Sequence, residues 1–161
     1  MNTLHIGFIG LGLIGGSIAK ALKKNIPDIR ITAYDVNADT LKLALEEGIA
    51  DNTTSQIDEA FSDCNYIFLC APVQKNDANL QAVKNIINDN CTLTDVGSVK
   101  TNIHEHIKAA GLEKHFIGGH PMAGREFSGF GYALGHLFEN ASMILTPPKD
   151  VTIEVLDFIK Y

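Results

Sequence analysis

Leu4-His5-Ile6-Gly7-Phe8-Ile9-Gly10-Leu11-Gly12-Leu13-Ile14-Gly15-Gly16-Ser17 is the stretch on which the fold of this 161-residue chain turns. Leu4–Ile9 is a short apolar run of the kind that forms a buried strand. Gly10, Gly12 and Gly15 then fall in the spacing G-x-G-x-x-G. Leu13–Lys24 follows, with Ile14, Ile18 and Leu22 at i, i+4 and i+8 on one helical face. The glycine pattern is weak alone, but between a strand and a helix it predicts a turn that cradles a dinucleotide. Gly10 permits the tight turn, Gly12 leaves the backbone bare for a pyrophosphate, and Gly15 lets helix and strand approach. Leu11, Leu13 and Ile14 complete the binding loop, where orphan N–H groups and the helix dipole face the phosphates. No Lys-Ser or Lys-Thr follows, which excludes a nucleoside-triphosphate P-loop.

Outward from this turn, Arg30–Tyr34 reads as a second strand. Asp35 ends it 25 residues after Gly10, close to the usual spacing of about 20. Its carboxylate would accept hydrogen bonds from the adenosine ribose and repel a 2′-phosphate. No Arg or Lys follows before Lys42, so NAD is expected rather than NADP. Ala38–Glu47 reads as a helix closed by Gly48, and a short third strand is expected near Ile49–Thr53. Further strands are expected at Tyr66–Cys70, Thr92–Asp95, Phe116–Gly118 and Met143–Thr146. Helices are expected at Asp77–Asn88, with Leu80, Val83 and Ile87 inward, and at Thr101–Ala110. This alternation predicts a Rossmann-type α/β fold: a doubly wound, mostly parallel sheet with helices on both faces. Residues 1–150 form the nucleotide-binding domain on this reading. Residues 151–161, capped by Asp150 and carrying Val151, Val155 and Ile159, are either a final helix docked on the sheet or the start of a truncated helical domain.

Composition narrows the partners. Hydrophobic residues make up 45% and charged residues 20%, the balance of a globular domain rather than a disordered chain. Thirteen basic against nineteen acidic residues give a net charge of −6, which argues against nucleic acid as a partner. The apolar stretch Tyr66–Val73 is too short to span a membrane. Ile6–Gly16 lacks the preceding basic residues of a signal peptide and is interrupted by glycines. Cys64, Cys70 and Cys91 form no C-x-x-C pair, which predicts reduced thiols and a cytoplasmic protein. His104 and His106 lie on different sides of a helix and have no cysteine at zinc-site spacing, so no metal site is expected.

Three segments follow strands where the ligand crevice of such a sheet lies. Cys70-Ala71-Pro72-Val73 either packs against the adenine and its ribose or, through Pro72, merely ends a strand. Asp95-Val96-Gly97-Ser98-Val99-Lys100 and Gly118-Gly119-His120-Pro121-Met122-Ala123-Gly124 are polar and glycine-rich directly after apolar runs, as ligand-shaped loops are. Ser98 either serves the site, with Gly97, or caps the next helix. His120 is either chemical or held by a backbone carbonyl.

Taken together, Gly10–Ser17, Asp95–Lys100 and Gly119-His120-Pro121-Met122-Ala123-Gly124-Arg125-Glu126 resemble the prephenate/arogenate dehydrogenase family of tyrosine biosynthesis. The match continues through Ser128, Gly129 and Ala133, so it spans nearly the whole chain. The first motif is shared by many dehydrogenases, whereas the second and third, in this order, are far more specific. The resemblance implies NAD-dependent oxidative decarboxylation of prephenate to 4-hydroxyphenylpyruvate, or of arogenate to tyrosine. Ring C4–H leaves as hydride, the C4 hydroxyl becomes a carbonyl or phenol, and the ring carboxylate leaves as CO2. His120 matches the family's catalytic histidine, and a neutral imidazole suits a general base at neutral pH. Ser98 matches the serine that hydrogen-bonds the same hydroxyl. Lys100 reads as local structure or electrostatics.

The family carries a helical second domain that supplies the homodimer interface and an arginine for the substrate carboxylate. Nothing in this chain matches that part, so a fragment that binds NAD and turns over slowly or not at all is expected. A dianionic substrate needs a fixed cation, and Lys100 and Arg125 are the candidates near the crevice. Two rival functions stand beside this one. The first is another NAD-dependent reductase, of the hydroxyacid or pyrroline-carboxylate type, which would share the glycine turn but not need the His120 loop. The second is a non-catalytic NAD-binding regulatory module.

Overall fold

The computed structural model describes residues 3–72 and 75–147. Seven strands form one sheet: β1 His5–Ile9, β2 Arg30–Tyr34, β3 Asn52–Thr54, β4 Tyr66–Leu69, β5 Thr92–Asp95, β6 Phe116–Pro121 and β7 Met143–Thr146. Their spatial order is β3-β2-β1-β4-β5-β6-β7. Neighbours from β3 through β6 pair in parallel, and β7 closes the edge antiparallel to β6. The order reverses beside β1, so the connections that leave the carboxyl ends of β1 and β4 run to opposite sides and open the crevice that such a reversal creates.

Strands covered on both faces must be apolar on both, which is why β1 and β4 read as continuous hydrophobic runs. Ile6, Phe8, Ile31 and Phe68 point to one face. There they pack against Ala19 and Leu22 of α1 (Leu13–Asn25) and Leu41 and Ala44 of α2 (Ala38–Glu46). Phe8 and Phe68 stack with their ring centroids 5.1 Å apart. Ile9, Ile67, Leu69 and Leu93 point to the other face. They meet Leu80 and Val83 of α3 (Asn76–Lys84) and Ile103, Ile107 and Ala110 of α4 (Lys100–Ala110). No described helix is long and apolar enough to cross a membrane.

Three elements differ from the sequence expectation by more than one residue at an end. α3 stops at Lys84 instead of reaching Asn88. The chain tightens to i→i−3 bonds at Asn85 and Ile86, and the Asn88 side chain donates to the carbonyls of Ser62 and Cys64, with Ile87 half-buried just before it. β3 begins at Asn52, because Ile49 and Ala50 are held by Ala44 O at the end of α2. β6 runs past Gly118 to Pro121, so His120 lies in a strand rather than a loop. β7 supplies the pairing that keeps Gly118-Gly119-His120 extended, with His120 opposite Ile144. Val73 and the helix expected from Asp150 onward lie outside the described residues.

Candidate dinucleotide crevice and reacting end

α1 starts without a side-chain cap. Its N-cap is Gly12, and no acidic residue occupies the first turn. The N–H groups of that turn therefore face open space at the positive end of the helix dipole. Gly10 holds φ at +93°, and a Cβ there would lie 2.6 Å from the Ala71 nitrogen. A Cβ on Gly15 would meet the Gly10 carbonyl at 2.6 Å, whereas one on Gly12 would meet nothing within 4 Å. The first and third glycines thus pack the turn, and the middle one borders the crevice.

The crevice measures about 680 Å³ and lies over the carboxyl ends of β1, β2 and β4. Gly10, Gly12, Leu13, Ile14 and Gly15 form one side. Tyr34 and Asp35 form a second, and Cys70, Ala71 and Pro72 a third. Leu11 is different: its side chain is fully buried in the core, and its N–H donates to Asp35 Oδ2 at 2.7 Å. Asp35 Oδ1 accepts the Asn37 N–H at 2.9 Å. A carboxylate oxygen has two lone pairs, so each retains capacity for a ribose hydroxyl. Burial, and then the nearby Asp95 carboxylate, push the Cys70 thiol upward, so it stays protonated and the third wall uncharged. A bare helix N-terminus, a ribose-side carboxylate and an uncharged third wall fit a dinucleotide.

Two walls lie outside the residues that the sequence marks for the crevice. Phe127, Ser128 and Gly129 border the crevice from a segment far along the chain. Lys75 adds a cation beyond the two expected from sequence. The Phe127 signal was its place after the His120 motif; Lys75 stands in a polar run with no distinguishing pattern.

A side pocket of about 290 Å³ extends between the ends of β4 and β5, bordered by Cys70, Ala71, Pro72, Asp95, Val96 and Gly97. Ser98 is exposed beside it. The N-cap of α4 is Val99, with no side-chain cap bond, so Ser98 does not serve as the cap. His120 sits half-buried near the end of β6, away from the glycine turn. Its Nδ1 is buried and has no hydrogen-bond partner among the described residues, so no carbonyl holds it there. Thr94 Oγ1 is in the same condition, 3.1 Å from where a Cβ of Gly119 would stand. Buried polar atoms are nearly always paired, and unpaired ones gather where a ligand binds or reacts.

Lys100 points inward rather than to solvent. Its Nζ lies 2.6 and 2.5 Å from the Asp95 oxygens and 2.5 Å from the Gly119 carbonyl. Arg125 is exposed, 5.5 Å from the ring centre of Phe127.

Residues 18–161 match the nucleotide-binding domain of prephenate dehydrogenase. The chain is 35% identical over 153 residues to prephenate dehydrogenase of Bacillus subtilis, covering 94% of this chain and 41% of that protein. The crystal structure of prephenate dehydrogenase from A. aeolicus, in complex with hydroxyphenyl propionate and NAD+, superposes with a TM-score of 0.88 at 34% identity. That match covers 99% of this chain and 56% of that one. Synechocystis arogenate dehydrogenase gives 0.86 at 32% identity, over 97% of this chain and 54% of that one. The chain thus spans about half the length of the relatives it matches. On these grounds it belongs to the prephenate dehydrogenase family, of which it carries the nucleotide-binding domain.

Proposed function

We propose that this chain binds NAD and carries the cofactor half of an oxidative decarboxylase acting on prephenate or arogenate. The observation that carries the proposal is the uncapped start of α1, which faces Asp35 across the crevice of a prephenate dehydrogenase family member. NAD, when bound, supplies the hydride acceptor. Gly12, Gly15 and the first turn of α1 would hold its pyrophosphate, and Asp35 its adenosine ribose. Cys70, Ala71 and Pro72 would border the adenine side, with Gly97 and Ser98 toward the nicotinamide.

His120 and Ser98 would meet the substrate's ring hydroxyl. Ser98 orients it, and an imidazole nitrogen of His120 takes its proton as C4–H departs as hydride. The ring carboxylate leaves as CO2, and the proton returns to the phenolic oxygen of the aromatic product. Aromatisation drives the step, so these residues mainly align C4–H and draw off the proton. We take residues 1–150 as the NAD domain and 151–161 as the lead into a helical one that would supply the homodimer interface and the carboxylate clamp. We take the protein to be cytoplasmic, in keeping with its three free thiols.

Calorimetry of NAD+ and NADP+ with the chain, and NADH formation by the full-length gene product with prephenate or arogenate, test this. NAD+ should give heat and thermal protection, and NADP+ less of both. No response to NAD+ would overturn the proposal. His120→Asn is expected to lower turnover on the order of 10²–10⁴-fold while leaving NAD+ affinity intact. Equal losses in both would make His120 a structural residue.

A further inference from the structure

β5 ends in a carboxylate that is almost wholly buried, with the Asp95 side chain 6% and its partner Lys100 19% exposed. Each Asp95 oxygen holds a different segment. Oδ1 accepts the Gly119 N–H at 3.1 Å, and Oδ2 accepts the Gly97 N–H at 3.0 Å. Lys100, the first residue of α4, bonds both oxygens and also donates to the Gly119 carbonyl. An ammonium has three donors, and these three bonds use all of them. Lys100 therefore has none left for a substrate carboxylate.

The two segments so gripped are the ones that matter. Gly97 immediately precedes Ser98. The Gly119 carbonyl belongs to the peptide bond that leads into His120. A Cβ on Gly119 would lie 2.7 Å from both the Asp95 carbonyl and the Met143 methyl, so the strand passes in contact with β5. One ion pair thus ties the backbone beside the serine to the backbone beside the histidine. Nothing else among the described residues bonds to both. Buried ion pairs contribute little net stability against apolar replacements of the same size, so folding alone is a poor reason for this one.

We propose that Asp95 and Lys100 are positioning residues that set the separation and orientation of Ser98 and His120. They act through the backbone: the Lys100 donors are all spent, and the Asp95 oxygens are taken up by Lys100 and the Gly97 and Gly119 amides. The proposal rests on the roles given above to Ser98 and His120; wild-type turnover of prephenate or arogenate, compared with His120→Asn, tests that reading first.

The test compares Lys100→Met and Lys100→Arg with wild type in the full-length gene product. A displacement of about 1 Å at a reacting group can cost on the order of 10²-fold. Lys100→Met should therefore lower kcat by about that factor while the Kd for NAD+ stays within about twofold, below 0.5 kcal/mol. Lys100→Arg, which keeps the charge and donors, should recover part of the loss. The acid limb of the kcat–pH profile should stay in place. Its disappearance would make Lys100 the proton acceptor and overturn the proposal. Independently of turnover, the Gly97 and Gly119 amides should exchange with solvent about tenfold faster or more in Lys100→Met, the equivalent of one charge-assisted hydrogen bond. They should accelerate together; acceleration of one alone would refute the shared grip. Unchanged kcat, or a kcat loss matched by NAD+ affinity, would also overturn it. If Lys100→Met fails to fold, Asp95→Asn/Lys100→Gln takes its place and must show the same split. Failure of both to fold would assign the pair to folding only.

Discussion

Gly10 and Gly12 stand two residues apart in one motif but answer different demands. At Gly10 any side chain meets both a left-handed backbone and the Ala71 nitrogen at 2.6 Å, so substitution there damages the fold. At Gly12 the backbone is extended and the added Cβ meets nothing within 4 Å. Gly12→Ala is therefore expected to change folding stability by no more than about 0.5 kcal/mol, as at a site free of packing. The same methyl juts into the crevice beside the α1 amides. Forcing it against a bound pyrophosphate should cost about 1–3 kcal/mol, a roughly tenfold to hundredfold weaker NAD+ affinity. Thermal melts without ligand and calorimetry with NAD+ separate the two effects. Loss of stability without loss of affinity would reverse the assignment. At this scale the sequence was legible where spacing carries the geometry, as for Gly10, Gly15 and Asp35. The same spacing hid the Leu11 N–H, which Asp35 takes for itself. It also hid Asp95, which looks like the polar end of a strand until β6 is laid beside it.

At the level of elements, the fingerprint does not account for Gly16, the glycine just after it. A Cβ there would meet the Phe130 ring at 2.6 Å and the Ala133 methyl at 2.9 Å. The bare face of α1 is the seat for the segment that follows β6. Ser17 Oγ accepts the Leu134 N–H at 2.9 Å, and the Lys20 ammonium lies 4.7 Å from the Phe130 ring centre. This docking carries Phe127, Ser128 and Gly129 over the crevice. Gly16→Ala is expected to displace the strap at a cost of about 1–3 kcal/mol, as overpacking does. Both melting temperature and NAD+ affinity should fall, unlike Gly12→Ala, where affinity alone falls. A Gly16→Ala protein with normal affinity would show that the strap is no part of the site. Helix periodicity identified α1, and β-like runs identified the strands, because both are local patterns. The docking of the segment after β6 leaves no local pattern in the sequence, because its contacts join residues more than a hundred positions apart, as Ser17 and Leu134 are. β6 reads short in the sequence for a related reason: two glycines end a strand in isolation, but β7 pairs them.

Across the molecule the sheet divides its labour between its two ends. The carboxyl ends carry the crevice and the orphaned Thr94 and His120 atoms, whereas a bonded polar cluster braces the amino ends of β1 and β2. His5, 3% exposed, sits at its centre. Its Nε2 lies 2.8 Å from Thr32 Oγ1, and its Nδ1 lies 2.8 Å from Asp63 Oδ1 and 2.6 Å from Arg30 Nη2. Arg30 also pairs with Asp63. Burial first, and the Arg30 charge second, hold the His5 pKa below the ordinary histidine value, against the opposing pull of Asp63. The unfolded chain takes up this proton near pH 6.5, while the folded chain resists it until lower pH. Between those two values the unfolded state binds more protons, so stability falls as pH drops from about 6.5 through the folded value and then levels off. Asp63 works in a lower window. Burial raises its pKa, but Arg30 and His5 outweigh this and draw it below the usual carboxylate value, so its share is lost only in stronger acid. His5→Gln should remove the His5 share of the slope between pH 7 and pH 5. At pH 7 it should cost about 1–3 kcal/mol for the buried partners left unpaired. Thermal melts of both proteins across that range decide the matter: the wild-type curve should be the steeper, and parallel curves would show that the bracing end does not sense pH.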